Sequence, residues 1–142
     1  MRRSLLALGF MPVVFCSGCH AFMKVGDSRY APLGGTLRSL EAAPYEAVVN
    51  ASYTAMKQLE LRPDQRERDG FRAVLVGETN LGRLSQTHEI RVWIKKQPEY
   101  TEVTMRISGR RDPSRLRAIL AEVRKVLANS GQPALANSAQ PR

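Results

Sequence analysis

Residues 84–108 read LSQTHEIRVWIKKQPEYTEVTMRIS. His88, Ile90, Val92 and Ile94 alternate with Glu89, Arg91, Trp93 and Lys95. After Gln97-Pro98-Glu99, Thr101, Val103, Met105 and Ile107 alternate with Glu102, Thr104, Arg106 and Ser108. A strand sends successive side chains to opposite faces, so a period of two separates an apolar face from a polar one. The spacing predicts two antiparallel strands, 84–96 and 101–108, joined by a short turn. A sheet of this kind packs one face on a core and turns the other to water.

Working upstream, residues 71–78 (FRAVLVGE) have the β-branched and aromatic content of a strand. Residues 80–83 (NLGR) turn the chain, and Asp69-Gly70 is a hairpin signal. The charged run 61–68 (LRPDQRER) is either an edge strand or a loop; Pro63 and the charges suit an edge that must resist further pairing. Before it, Tyr45, Val48, Val49, Ser52, Met56 and Leu59 follow three- and four-residue steps, the signature of one helix face. Ala47, Ala51 and Ala55 beside that stripe allow close approach. Pro44 suits the first helical position and Pro63 blocks extension. Residues 35–41 (GTLRSLE) predict a short first strand.

Downstream, Gly109-Arg110-Arg111 ends the last strand. Asp112 is a good helix N-cap and Pro113 suits the next position. Leu116, Ile119, Leu120, Val123 and Leu127 form the apolar face of a helix running to about residue 128, with Asn129-Ser130-Gly131 as a stop. Residues 130–142 predict a disordered tail. Two one-faced helices and a one-faced sheet satisfy one another in a two-layer sandwich. The fold class expected is α+β: an antiparallel sheet of about four strands with two helices packed on one face, in a domain spanning 35–129. Val49, Met56, Val92, Ile94, Val103, Met105, Leu116, Ile119 and Leu120 should share its core.

The N-terminus carries a different message. Arg2 and Arg3 precede an apolar run at 5–15 (LLALGFMPVVF), and Ser17-Gly18 precede Cys19. This is the three-part pattern of an export signal. The run is well short of the roughly 20 residues that cross a bilayer. A buried N-terminal helix of a cytosolic domain, or an ordinary signal cleaved elsewhere, are the other readings. Ser17-Gly18-Cys19 resembles the lipobox of bacterial lipoproteins, although Cys16 stands where that motif usually has an aliphatic residue. The resemblance implies a signal peptide at 1–18, lipid attachment at Cys19, and a tether at 19–34. His20 rather than aspartate after the cysteine implies sorting to the outer membrane, on its periplasmic side. Together with YEAVVNASYTAMKQLEL at 45–61, TEVTMRISG at 101–109 and the aspartate-capped helix, residues 19–127 resemble a family of small bacterial lipoproteins of uncharacterised function. Arg111 stands where members often have a second glycine. The family implies an envelope location and this sandwich, and it implies no activity.

The chain has 22 Lys and Arg against 13 Asp and Glu, a net charge of +9. That balance favours anionic partners such as lipid headgroups, cell-wall polymers or nucleic acid, and export argues against the last. With Cys16 removed and Cys19 lipidated, no thiol is left for a disulfide or a cysteine metal site. The CSGC spacing at 16–19 matches a redox motif only superficially, since it closes an apolar signal.

No phosphate loop, HExxH or nucleophile elbow occurs. His88 is the only histidine inside the domain, and alternation puts Glu89 on the opposite face from it. A triad with nearby Ser85 would need partners from elsewhere. The expected function is therefore a membrane-anchored lipoprotein with a non-catalytic binding or scaffolding domain, needing no cofactor or metal. The alternatives are an envelope enzyme with a site around His88, or, without export, a basic nucleic-acid binder. The candidate partner face is the polar side of the sheet, where Arg91, Trp93 and Lys95 share one strand and Arg106 lies on the next. An aromatic among cations can anchor a protein interface or stack on a sugar ring. An envelope protein or a cell-wall glycan fits. The competing reading is that the tether, the tail or another strand covers Trp93.

Overall fold

The computed structural model describes residues 23–80 and 87–131. In chain order the elements are β1 (Ser28–Ala31), β2 (Thr36–Glu41), α1 (Tyr45–Gln58), β3 (Asp64–Arg68), β4 (Arg72–Asn80), β5 (Thr87–Lys96), β6 (Thr101–Ile107) and α2 (Pro113–Asn129). The strands form one antiparallel sheet in the order β1-β2-β6-β5-β4-β3. The expected α+β class holds, and six strands replace the expected four or so.

The additional strand comes from the stretch read as tether. Ser28–Ala31 pair with Thr36–Glu41 and form one edge of the sheet. The reason is non-local: β2 is held by β6 on one side, and its other row of backbone groups needs partners. The ambiguous charged run resolves as the opposite edge, β3, which is exposed throughout and carries a bulge between Gln65 and Glu67. Charge and bulge both discourage pairing with another chain. Residues 81–86, which hold the predicted turn and the start of the predicted strand at 84, lie outside the described residues. So do 1–18, Cys19 and most of the tail.

The nine residues expected in the core are buried together, with both helices contributing to the same cluster as the inner face of the sheet. Ser52, also on the α1 stripe, is fully buried and its hydroxyl has no hydrogen-bond partner among the described residues. Pro44 is the N-cap of α1 rather than its first helical residue. At α2 the Asp112 carboxylate accepts from the Arg115 N–H at 2.9 Å, with Pro113 at the first turn.

Between α1 and β3 the chain makes a costly turn. Glu60 and Arg62 both have positive φ, 57° and 47°. A side chain in that region is strained. The turn drives Leu61, 1% exposed, into the core against Gly77 of β4. The Leu61 carbonyl then accepts from the Glu78 N–H at 2.7 Å. A Cβ on Gly77 would sit 2.5 Å from Met56 Cε and 2.8 Å from that carbonyl oxygen, so glycine is required by close approach.

A second long-range feature was not read from the sequence. Glu41 is 6% exposed. Arg124 of α2 reaches it with Nε at 3.1 Å and Nη2 at 2.9 Å. The same Nη2 donates to Ser39 Oγ at 3.0 Å and to the Gly26 carbonyl at 2.8 Å. The Ser39 hydroxyl also bonds the Glu41 carboxylate. This clasp ties α2, β2 and the turn at 24–27 together, where the chain enters the domain.

Candidate functional site

Both helices pack on one face of the sheet, and among the described residues no helix covers the other. Strand register determines what that outer face displays. Trp93 on β5 stands between Val74 of β4 and Thr104 of β6. Thr104 in turn faces Arg38 of β2. Two residues along, Arg91 lies directly opposite Arg106. Like charges placed opposite each other on one face repel. Arg91 is relieved by Glu89, with which it forms an ion pair, and its guanidinium lies 5.7 Å from the centre of the Trp93 ring. Arg38 is held by Glu102 at 2.8 Å. Arg106 and Lys95 form no ion pair with a described residue.

The outer face is therefore cationic at Arg106 and Lys95, aromatic at Trp93 and partly neutralised elsewhere. Trp93 is half-buried rather than exposed. The cover comes from lateral side chains, Val74 and Thr104 across the ladder and Arg91 over the ring, and no described part of the tether region lies on it. An open hollow of about 690 Å³ lies on one side of the ring, where Arg66, Arg72 and Lys95 alternate with Glu67, Glu89 and Glu102, so its charges are mixed. A smaller one, about 210 Å³, lies on the other side between Arg91 and Arg106. The four residues singled out from the sequence, Arg91, Trp93, Lys95 and Arg106, thus fall on one face, with the last on the neighbouring strand. A flat ring flanked by cations can stack on a planar or pyranose surface while the cations meet carboxylate or phosphate.

His88 lies at the far end of β5, half-buried, with Nδ1 3.0 Å from the Ser108 carbonyl oxygen. The Ser108 hydroxyl accepts from the Glu89 N–H. The Glu89 side chain pairs with Arg91 on the outer face. These contacts tie β5 to the end of β6 and bring no described carboxylate or hydroxyl nucleophile to the imidazole; Ser85 lies outside the described residues. Among the described residues no group of His, Cys, Asp and Glu is arranged to hold a metal, and no helix is long and apolar enough to cross a membrane.

Another hollow, about 830 Å³, lies between the end of α1, the strained turn and the start of α2. Lys57, Arg62 and Arg115 line it together with Glu60 and Glu78, so its charges are mixed. Sequence reading did not single out this place. It also missed a basic pole at the β1–β2 turn, where Arg106, Arg110 and Arg111 surround Gly34 and Gly35.

No protein-family profile matches the chain, and no curated protein sequence does. Among solved structures it is similar to the vertebrate conserved region of human METTL16, with a TM-score of 0.49 and 10% sequence identity, over 66% of this chain and 76% of that one. A likeness at that level is carried no further.

Proposed function

We propose that this chain is a lipid-anchored protein of a bacterial cell envelope, attached through Cys19 and held at the outer membrane. Its domain is a non-catalytic docking module that receives an anionic partner on the outer face of the sheet. The observation that carries the docking reading is Trp93 on the face that no described helix covers, with Arg91 over its ring and Lys95 and Arg106 beside it, neither in an ion pair with a described residue. A ring overlain by Arg91 is available to a partner that displaces that side chain, and the cations beside it select negative charge. A cell-wall glycan bearing carboxylates supplies both a sugar face and the charge. The anchor reading is supported by the residue pattern at 1–19.

The test pairs two measurements on Trp93→Ala: thermal unfolding, and co-sedimentation with isolated peptidoglycan. Folding should be nearly unchanged and sedimentation lost. Unfolding of the variant would make Trp93 a packing residue and refute the docking face. The anchor is tested separately: Cys19→Ser should leave uncleaved precursor. A mature chain starting elsewhere and lacking lipid would refute it.

A further inference from the structure

Leu33, at the tip of the β1–β2 hairpin, is 93% exposed. It borders a hollow of about 200 Å³ floored by Gly34, Gly35 and Gly109 and walled by Arg106, Arg110 and Arg111. Among the described residues no carboxylate lines this hollow. The neighbouring acid, Asp112, is 4.0 Å from Arg110 and accepts from the Arg115 N–H, so it leaves most of the positive charge uncompensated. Gly35 has φ of +60°, which suits glycine, and Arg111 Cγ lies 3.4 Å from where its Cβ would stand, an ordinary contact distance. The Arg111 stem thus lies across the hairpin turn, and its Nη2 is 3.5 Å from the Leu33 carbonyl. The turn and the arginines form one unit, with an exposed aliphatic side chain beside the guanidinium groups.

We infer that this pole is a contact site for an anionic phospholipid surface, with Leu33 entering the bilayer and Arg110 and Arg111 meeting headgroup phosphates. Guanidinium matches phosphate oxygens in a fork geometry. Clustered basic residues are drawn to anionic leaflets. A dissolved polyanion would satisfy the arginines and offer nothing to Leu33. A bilayer offers phosphate for the arginines and, roughly 5–10 Å deeper, an apolar layer for Leu33.

The position agrees with the chain's path. The segment entering the domain pairs at Gly26 with Leu40, near the opposite end of β1. From there to Leu33 is roughly 23 Å of extended chain. A bilayer touching both places lies along the β1 edge and leaves the Trp93 face free at the side. The contact presupposes the membrane location proposed above, and it is independent of docking at Trp93.

The experiment uses the full-length chain with vesicles of brominated phosphatidylglycerol or brominated phosphatidylcholine. Leu33→Trp adds a fluorophore at the tip, and the wild type supplies the Trp93 background. The added emission should be quenched by the anionic vesicles and not by the zwitterionic ones. Arg110→Glu with Arg111→Glu should abolish that quenching. Raised salt should weaken it in the Leu33→Trp chain itself, which keeps the test intact if the charge-reversed chain fails to fold. Co-flotation with anionic vesicles without quenching at position 33 overturns the contact alone. No co-flotation overturns the contact and leaves the membrane location to its own test, lipid on Cys19 read by mass spectrometry. Equal quenching in both lipids, or quenching indifferent to salt and charge reversal, overturns the role of the arginines. Retention on peptidoglycan through Arg110 and Arg111, with no quenching by lipid, assigns the pole to a polymer and overturns the inference.

Discussion

Replacing Arg124 by Met tests the clasp at the domain's entry. The substitution removes the three guanidinium bonds to Glu41, at 3.1, 3.3 and 2.9 Å, and the bonds to Ser39 and Gly26 at 3.0 and 2.8 Å. Glu41 would keep the Ser39 hydroxyl as its described partner while its side chain stays 8% exposed. Removing one partner of a fully buried pair costs about 3–5 kcal/mol, because a charge is left without compensation. The Arg124 side chain is 38% exposed, so water can reach the vacated side. Exposed pairs contribute about 0–1 kcal/mol. This half-open geometry lies between the two limits, and a loss of about 2 kcal/mol is expected. For a domain of this size that lowers Tm by roughly 8–16 °C. Replacing Glu41 and Arg124 together by Met removes the stranded charge and should recover most of the loss. Thermal unfolding of both single variants and the double variant completes the cycle. An Arg124→Met chain within about 0.5 kcal/mol of wild type, or a double variant no better than the single, would refute the reasoning.

Gly77→Ala should destabilise by about 1–3 kcal/mol from overpacking, offset in part by about 0.5–1 kcal/mol from removing a strand glycine. Chemical denaturation reads the balance, and a neutral or stabilised variant would mean that the Leu61 turn does not press on β4. Leu120→Ala, at a residue 3% exposed, should cost about 2–5 kcal/mol, and an unaffected domain would mean that α2 does not pack on the sheet. At the β3–β4 turn, the N–H groups of Phe71 and then Arg72 hold the Asp69 carboxyl below its ordinary 3.8. The folded state binds that proton less readily than the unfolded state, so the contribution is complete above about pH 3.8 and is lost as pH falls through the folded value. Burial, followed by the charges of Glu46 and Asp69, raises the Tyr45 hydroxyl above 10.0. The unfolded chain then ionises first, and stability should decline above pH 10.0. Tm profiles of Asp69→Asn and Tyr45→Phe should flatten the acid and alkaline limbs respectively; unchanged limbs would show that these groups do not govern them.

The sequence by itself determined which faces point inward, because that information is local. Period two in residues 87–107 places Ile90, Val92, Ile94, Val103 and Met105 on one side whatever the strands pair with, and they are buried. Asp112 followed by Pro113 marks the start of α2 through bonds within one turn. The candidate face around Arg91, Trp93, Lys95 and Arg106 was legible for the same reason, since alternation assigns each side chain its side. Only the tertiary structure decided what covers those side chains. Trp93 is half-buried because register sets Val74 and Thr104 beside it, and register depends on pairing between strands. β1 has no alternation to betray it and exists because β2 leaves a row of backbone groups to be paired. The clasp joins Arg124 to Glu41 across 83 residues, and the basic pole joins Arg111 to Leu33 across 78. Contacts at such separations leave no periodic trace in the chain, because chain closure and packing, not neighbouring residues, bring the partners together.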